Sequence, residues 1–488
     1  MTEKSKLIWI YLVSILFIAA NTYLIVNQKM WGSLLPLLLV ILLVYFVALD
    51  KIVLLITLLT PLAVNLRDSE LGFAVSMPTE PLMFGVLVFF IIKLLYDGRY
   101  DFKIIKHPVS ILIFLSFFWL LLTSITSELP VVSFKYLLSR LWFVVPFYFF
   151  IILMFKNKKT VKQFIWLYTI ALVVVVIYTI TRHISYGLGE DEGHWVMDPF
   201  YNDHTAYGAI LAMYLPLMFG FAIDKSNNKS IRIISFSVFA FFILAIILSY
   251  SRAAWLSTAI AVVILFLVLL KIKFRWVMAF GVTVLVLFFT FQHQILDRLE
   301  KNEQDSSSNF VEHVRSITNI SSDASNLERI NRWQSALRMF NERPFWGWGP
   351  GTYQFLYAPF QRSKEKTIIS TNAGDLGNAH SEYIGPLSET GIFGMLIILS
   401  IFSYSVYLGL KIYKRCKERE LKILTLSVTL GLITYYIHGF LNNFLDSDKA
   451  SVPVWGFIAV LVAIDIYHCK SVNKTDERSI EAKNENSW

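Results

Sequence analysis

His380 lies in the run Asn378-Ala379-His380-Ser381-Glu382-Tyr383, where a long polar stretch gives way to an apolar one that holds Gly385, Gly391 and Gly394. A histidine at the mouth of a membrane helix titrates near neutral pH and can serve as a general base while still reaching a membrane-bound substrate. The same ring could equally bond a loop carbonyl and do no chemistry. Two arginines stand in costly places: Arg252, between the run Ile234 to Tyr250 and the next apolar run, and Arg140, inside an apolar stretch. Desolvating a guanidinium is expensive, so such charges are functional candidates by default. Pairing with an acid from another helix is the alternative, but the apolar runs hold few acids, and an anionic ligand is the better expected partner for Arg252.

Upstream of His380, Ser325-Asn326-Leu327-Glu328 has the Ser-x-x-Glu spacing of a capping box, which satisfies free N–H groups at a helix start. Leu327, Ile330, Trp333, Leu337 and Phe340 follow at helical spacing, and Pro344 stops the helix after Arg343. The pattern predicts an amphipathic helix on the membrane surface, offering Arg329, Arg332 and Arg338 to phosphate or protein partners or letting them snorkel. Next comes Phe345-Trp346-Gly347-Trp348-Gly349-Pro350-Gly351-Thr352-Tyr353. Its glycines allow tight turns, and aromatic faces such as Trp348 and Tyr353 suit a sugar ring or the membrane interface, of which interface anchoring is the plainer reading.

The elements that must carry these residues follow from composition. Of 488 residues 56% are apolar and 16% charged, against roughly 25% charged in soluble domains. At roughly 20 residues per span, that apolar content bounds the spans at about 14. The sequence predicts an all-α integral membrane protein with helices near 7–26, 33–49, 52–65, 79–95, 108–126, 132–154, 161–181, 206–223, 233–250, 253–271, 276–292, 383–410, 421–440 and 452–467, the run 52–65 being the shortest. A soluble multidomain enzyme is excluded, as is an outer-membrane barrel, whose strands alternate apolar and polar residues. The first run, preceded by Lys4 and Lys6, is long enough for a helix rather than a signal peptide.

The net charge of +9 does not point to nucleic acid, because the basic residues cluster between apolar runs and so report orientation. Placing Met1 in the cytoplasm puts about 27 of the 44 Lys/Arg on the inner side, including Lys156, Lys158 and Lys159, and both termini are expected there. Cys416 and Cys469 fall in basic segments assigned to the cytoplasm, which argues against a disulfide scaffold or a Cys-built metal site. The tail from Lys470 to Trp488 reads as a disordered cytoplasmic segment. Two outer connections, 182–205 and 293–382, are too long for turns, and long loops in compact proteins usually bind or catalyse. No inverted repeat of the carrier type is evident.

With these pieces in order, the chain resembles the O-antigen ligase and O-antigen polymerase superfamily of bacterial membrane glycosyltransferases, which also includes O-linked protein oligosaccharyltransferases. The resemblance rests on His380-Ser381, nine residues, Gly391, two residues, Gly394; on Ser251-Arg252-Ala253-Ala254 after a long helix; on Arg329 and Trp333; on Pro344 to Gly351; and on Asn202-Asp203-His204-Thr205-Ala206-Tyr207-Gly208. It covers roughly residues 200–440. The expected organisation is an N-terminal transmembrane bundle (1–199), a ligase-like catalytic region (200–440) that includes the extracytoplasmic loop 293–382, a C-terminal loop with the last helix (441–469), and the tail (470–488). Departures are an insertion at Gln361 to Asp375 and a span count above the family's usual twelve. Beyond residue 440 only Asn442, Asn443, Asp446 and Asp448 stand out, and their acids read equally well as solvated turns.

The resemblance implies transfer of a glycan from an undecaprenyl-diphosphate carrier to a hydroxyl acceptor such as lipid A-core, in lipopolysaccharide biosynthesis, at the outer face of the bacterial cytoplasmic membrane. It implies no cofactor, metal or nucleotide sugar. His380 would be the base, and Arg252 and Arg329 would hold the diphosphate. Arg140, Asn202, His204, Arg332, Trp348, Tyr353 and Glu382 would help bind substrate, Glu382 as a carboxylate near the reacting sugar. Membrane lipids and a glycan or lipid acceptor are the expected partners, with no nucleic acid and the oligomeric state open. A polymerase joining lipid-linked repeat units uses the same donor, and the motifs do not separate the two. A transporter of lipid-linked sugar ranks below both, because the charge crowds at the outer face instead of mid-membrane.

Overall fold

The computed structural model describes residues 3–29, 32–33, 35–66, 75–98, 100–273, 275, 283, 290, 324–366, 370 and 377–469. These are almost entirely helical. The helices that matter below are α1 (Glu3–Val26), α2 (Leu35–Val47), α3 (Leu49–Leu59), α4 (Thr79–Asp97), α5 (Pro108–Ile125), α6 (Pro130–Val144), α7 (Lys158–Ser185), α8 (His204–Ile223), α9 (Lys229–Leu248), α10 (Arg252–Leu269), α11 (Ala324–Glu342), α12 (Ile384–Arg415), α13 (Arg419–His438) and α14 (Asp448–Ala463). The only strands among the described residues are β1 (Val64–Leu66) and β2 (Val75–Met77), an antiparallel pair with Asn65 opposite Ser76.

Ten of the helices are long and apolar enough to cross a membrane, and α6 and α14 do so by continuing through wider turns to Met154 and His468. The expected count of fourteen is therefore not reached among the described residues. The runs predicted as 33–49 and 52–65 form a pair, Val40–Val47 and Leu49–Leu62, bent by 107° at a short break. The reason is length: the 11 residues of α3 rise only about 16 Å, against roughly 30 Å of hydrocarbon. The predicted span 276–292 and the tail lie outside the described residues.

The bundle is built around α8, α13 and α14, whose sides are almost wholly enclosed. In lipid no hydrophobic force drives helices together, so close backbone approach must supply the attraction. Gly431 permits it: a β-carbon there would stand 2.5 Å from the Met213 carbonyl oxygen of α8. Helix α12 packs between α13 and α5.

Two further expectations are corrected, and a third gains detail. Asp448 is fully buried instead of lying in a solvated turn: it accepts from Thr79 Oγ1 at 2.6 Å, while the adjacent Lys449 Nζ donates to the Thr60 and Ala63 carbonyls at 2.6 Å. Cys416 and Cys469 are joined as a disulfide, because two intervening spans return the chain to the same face with their Cα atoms 5.5 Å apart. The helix predicted at Ser325 forms as α11, and it buries a different set of residues against the protein from the apolar face read in the sequence. Ala336 and Met339 pack with Tyr353, Tyr357 and Ala379 in a separate small core over the start of α12, while Leu327 and Leu337 are exposed.

Candidate active site

The glycine-rich stretch and the start of α12 form one unit. Gly391 interrupts α12 with φ +70, and the backbone groups freed near the break are taken up by the loop. Ile392 N donates to Pro344 O at 2.9 Å, Trp348 N to Ser388 O at 3.1 Å, and Gly349 N to Glu389 O at 2.8 Å. Tyr353 N donates to Glu389 Oε1 at 3.0 Å, so the carboxylate locks the end of the stretch.

His380 sits just before this helix in the left-handed region, φ 47, its N–H donating to Asn378 Oδ1 at 3.0 Å. A non-glycine residue there carries backbone strain, which persists where surrounding contacts over-determine it and gathers at functional sites. Those contacts are present. Ser381 Oγ accepts from the Tyr383 and Ile384 N–H groups at 3.3 Å, Glu382 N donates to Gly439 O at 2.8 Å, and Tyr383 Oη donates to Tyr436 O at 2.8 Å. The histidine is thereby tied to the end of α13. Burial, and then the charges of Arg329 and Arg332, push its pKa down to about 4, with Asp203 and Glu328 opposing.

Three other elements end at the same place. Asp203 caps α8, its Oδ1 accepting from Thr205 N at 2.7 Å and Ala206 N at 2.8 Å, so that His204 opens the helix. The His204 ring stacks on His194 of the preceding loop at 4.2 Å, and the charges of Asp203, Arg329 and Arg252 all act on it. Arg252 is the first residue of α10, after the Ser251 cap. His438, at the end of α13, is buried and faces Asn442 Nδ2 through Nε2 at 3.1 Å. It feels Asp203, Arg329 and His204. His380, Arg252, Arg329 and His204, taken from four segments, are thus within electrostatic reach of one another or of shared neighbours.

The match to known families falls on this region. Residues 236–399 match the O-antigen ligase family model. The O-antigen ligase segment is about a third of the chain, running from α9 into α12. It takes in Arg252, Arg329, His380, Gly391 and Gly394 and leaves Asn202, His204 and His438 outside. With the ten apolar spans it gives the coarse reading: a multi-pass membrane protein with a segment similar to O-antigen ligases. Comparison with curated proteins returns no match.

The remaining predicted residues are placed otherwise. Arg332 is buried in an ion pair with Glu328 at 2.6 Å, with its guanidinium 4.2 Å above the Tyr357 ring, so it reaches the ligase segment's histidine as a charge. Tyr353 and Trp348 are internal props: Tyr353 Oη donates to Arg332 O at 2.7 Å, and Trp348 Nε1 to Met339 O at 2.9 Å beneath the Arg343 guanidinium. Asn202 faces the β1–β2 pair, accepting from Asn65 Nδ2 at 3.4 Å. Arg140 is held by Leu445 O at 2.9 Å, Asp446 at 2.8 Å and the Tyr136 hydroxyl, the pairing that the scarcity of acids in the spans argued against. Its acid comes from the loop before α14.

Glu382 is held in place by hydrogen bonds from the end of α13 and the loop after it. Its Oε1 accepts from Tyr435 Oη at 2.6 Å, Phe444 N at 2.7 Å and Leu445 N at 2.9 Å. Burial and then the Asp446 charge raise its pKa to about 7. The acid whose charge acts on His204, His380 and His438 alike is Asp203, which the quoted motif contained without a role. His438 was missed altogether. The signal was available, a histidine closing an apolar run before Gly439. Among the described residues no group of three or more His, Cys, Asp or Glu is placed to hold a metal ion.

Proposed function

We propose that the chain transfers a glycan from an undecaprenyl-diphosphate carrier to a hydroxyl acceptor at the outer face of the bacterial cytoplasmic membrane, acting as a ligase. The supporting observation is the meeting of a neutral His380 with Arg329 and, through His204, with Arg252. The acceptor oxygen attacks the anomeric carbon as its proton passes to the His380 ring. The bond from that carbon to the diphosphate oxygen breaks, and the electron pair leaves with the diphosphate. Arg252 and Arg329 meet the charge that develops there through forked hydrogen bonds, a form of stabilisation suited to a low-dielectric site. A direct displacement inverts the anomeric centre.

An imidazole with a pKa of about 4 is unprotonated at neutral pH and can accept a proton, though weakly. Bound diphosphate offsets the guanidinium charges that depress it, so donor binding itself strengthens the base. The decisive experiment incubates the purified chain with lipid-linked glycan and a panel of hydroxyl acceptors and weighs the products. Glycan on the acceptor supports the ligase. Lengthened glycan on the carrier, formed with donor alone, makes it a polymerase, and no covalent product at all sinks the reading.

A further inference from the structure

A narrow cleft of about 50 Å³ lies among α5, α6, α12 and α14. None of its wall comes from α8, α10 or α13, the helices that carry His204, Arg252 and His438. It starts at Glu382, at the outer end of α12, and continues past Pro386 to Ile401 and Phe402. Beyond the Gly391 break, the helix from Ile392 to Phe402 rises roughly 15 Å at 1.5 Å per residue, about half of a hydrocarbon core about 30 Å thick. Its deeper walls are aliphatic and aromatic, and Phe117 and Ile398 are partly exposed at its side. The lining suits a single apolar chain.

The polar groups gather at the outer end: Arg140, Tyr136, Glu382 and Glu389. The single guanidinium is already engaged by Asp446, Leu445 O and Tyr136. Two carboxyl groups stand beside it. A diphosphate entering here would meet acids and find no uncommitted cation, whereas hydroxyl groups would find acceptors, since a carboxyl group has about four lone-pair positions and Glu389 uses Oε1 for the Tyr353 N–H. The charge pattern is the reverse of that around His380, where guanidinium groups dominate.

We propose that this cleft is a second lipid site, for an amphiphile with an uncharged, hydroxyl-bearing head, and that the amphiphile is the acceptor. The second half of that statement rests on the transfer reading above; the first does not. The head sits against Glu382 and Glu389, two residues along the chain from His380 in the case of Glu382, and the tail lies along Ile398, Ile401 and Phe402. Donor and acceptor then approach from opposite sides of α12.

The test uses the full chain in lipid nanodiscs and two photoreactive probes: an alkyl maltoside with a diazirine in its tail, and a diazirine-bearing farnesyl diphosphate. The maltoside should label the peptide around residues 394–402, and excess dodecyl maltoside should reduce that label at least tenfold in the unchanged protein. Ile398→Trp and Leu120→Trp, which fill the cleft from facing helices, should reduce it as much while leaving farnesyl diphosphate labelling intact. Label spread evenly over lipid-facing helices, a signal that neither competitor nor variants reduce, or farnesyl diphosphate labelling of the same peptide overturns the site. Labelling needs no turnover: a chain that labels as described but transfers nothing keeps the lipid site and loses the acceptor assignment with the transfer reading.

Discussion

Gly391 lies directly against the carbonyl of Phe345: a β-carbon on that glycine would stand 2.1 Å from the oxygen. The approach is what lets the stretch Pro344 to Gly349 bond into the interruption in α12, and it ties the aromatic loop to the helix that begins just after His380. Gly391→Ala combines this backbone clash with a left-handed φ of +70, a conformation that alone costs a side chain about 1–3 kcal/mol. Transfer should fall by well over tenfold and the melting temperature in detergent should drop. Unchanged stability and turnover would mean that the loop does not depend on this contact.

The acid limb of kcat/KM follows the free His380 ring and should therefore appear near pH 4. Burial is the main cause and Arg329 the next, so Arg329→Gln should move the limb upward as well as weakening donor use. Stability moves in a defined direction too. Between the ordinary histidine value and pH 4 the unfolded chain takes up a proton that the folded chain refuses, so stability should decline as pH falls through that window. An acid limb that stays in place in Arg329→Gln argues against electrostatic contact between the two.

Glu382 titrates the other way. With its folded pKa raised to about 7, the protonated form is the one the fold prefers. Its contribution is fully present below the ordinary carboxylate value and is lost as pH rises through 7. Glu382→Gln keeps an oxygen for Tyr435, Phe444 and Leu445 and removes the titration. It should flatten the stability profile between pH 5 and 8 and raise the acceptor KM more than it lowers kcat. Loss of transfer with intact stability would return the carboxylate to the chemistry.

Arg140 holds three partners, while Asp446 is half exposed. Arg140→Met should therefore destabilise the chain more than Asp446→Asn does, by roughly 1–3 kcal/mol once the solvent screening of Asp446 is allowed for. Chemical denaturation of both single variants and the double variant measures it. Equal effects would mean that the bonds to Leu445 O and Tyr136 contribute nothing.

Ten of the fourteen apolar runs displayed their spans plainly, because lipid forces every backbone group to be satisfied within its own helix. The start of α11 was legible from Ser-x-x-Glu, although Glu328 turned out to serve Arg332. Two kinds of feature were not legible. Arg140, Glu382, Trp348 and Tyr353 read as ligand contacts because their partners lie on other segments, up to 306 residues away for Arg140 and Asp446. The interruption at Gly391 was visible only as a glycine in a motif, and nothing local revealed that Phe345 would press against it. His438 was hidden for the same reason, since a helix end gains meaning only from what meets it.

The stacked His194 and His204 rings, 4.2 Å apart, hold the loop before α8 against the first turn of that helix. Asp203, which caps the same helix, exerts its charge on His204, His380 and His438 alike. One carboxylate therefore joins three helix ends, so that a shift in the cap of α8 is felt beside α12 and α13 at once.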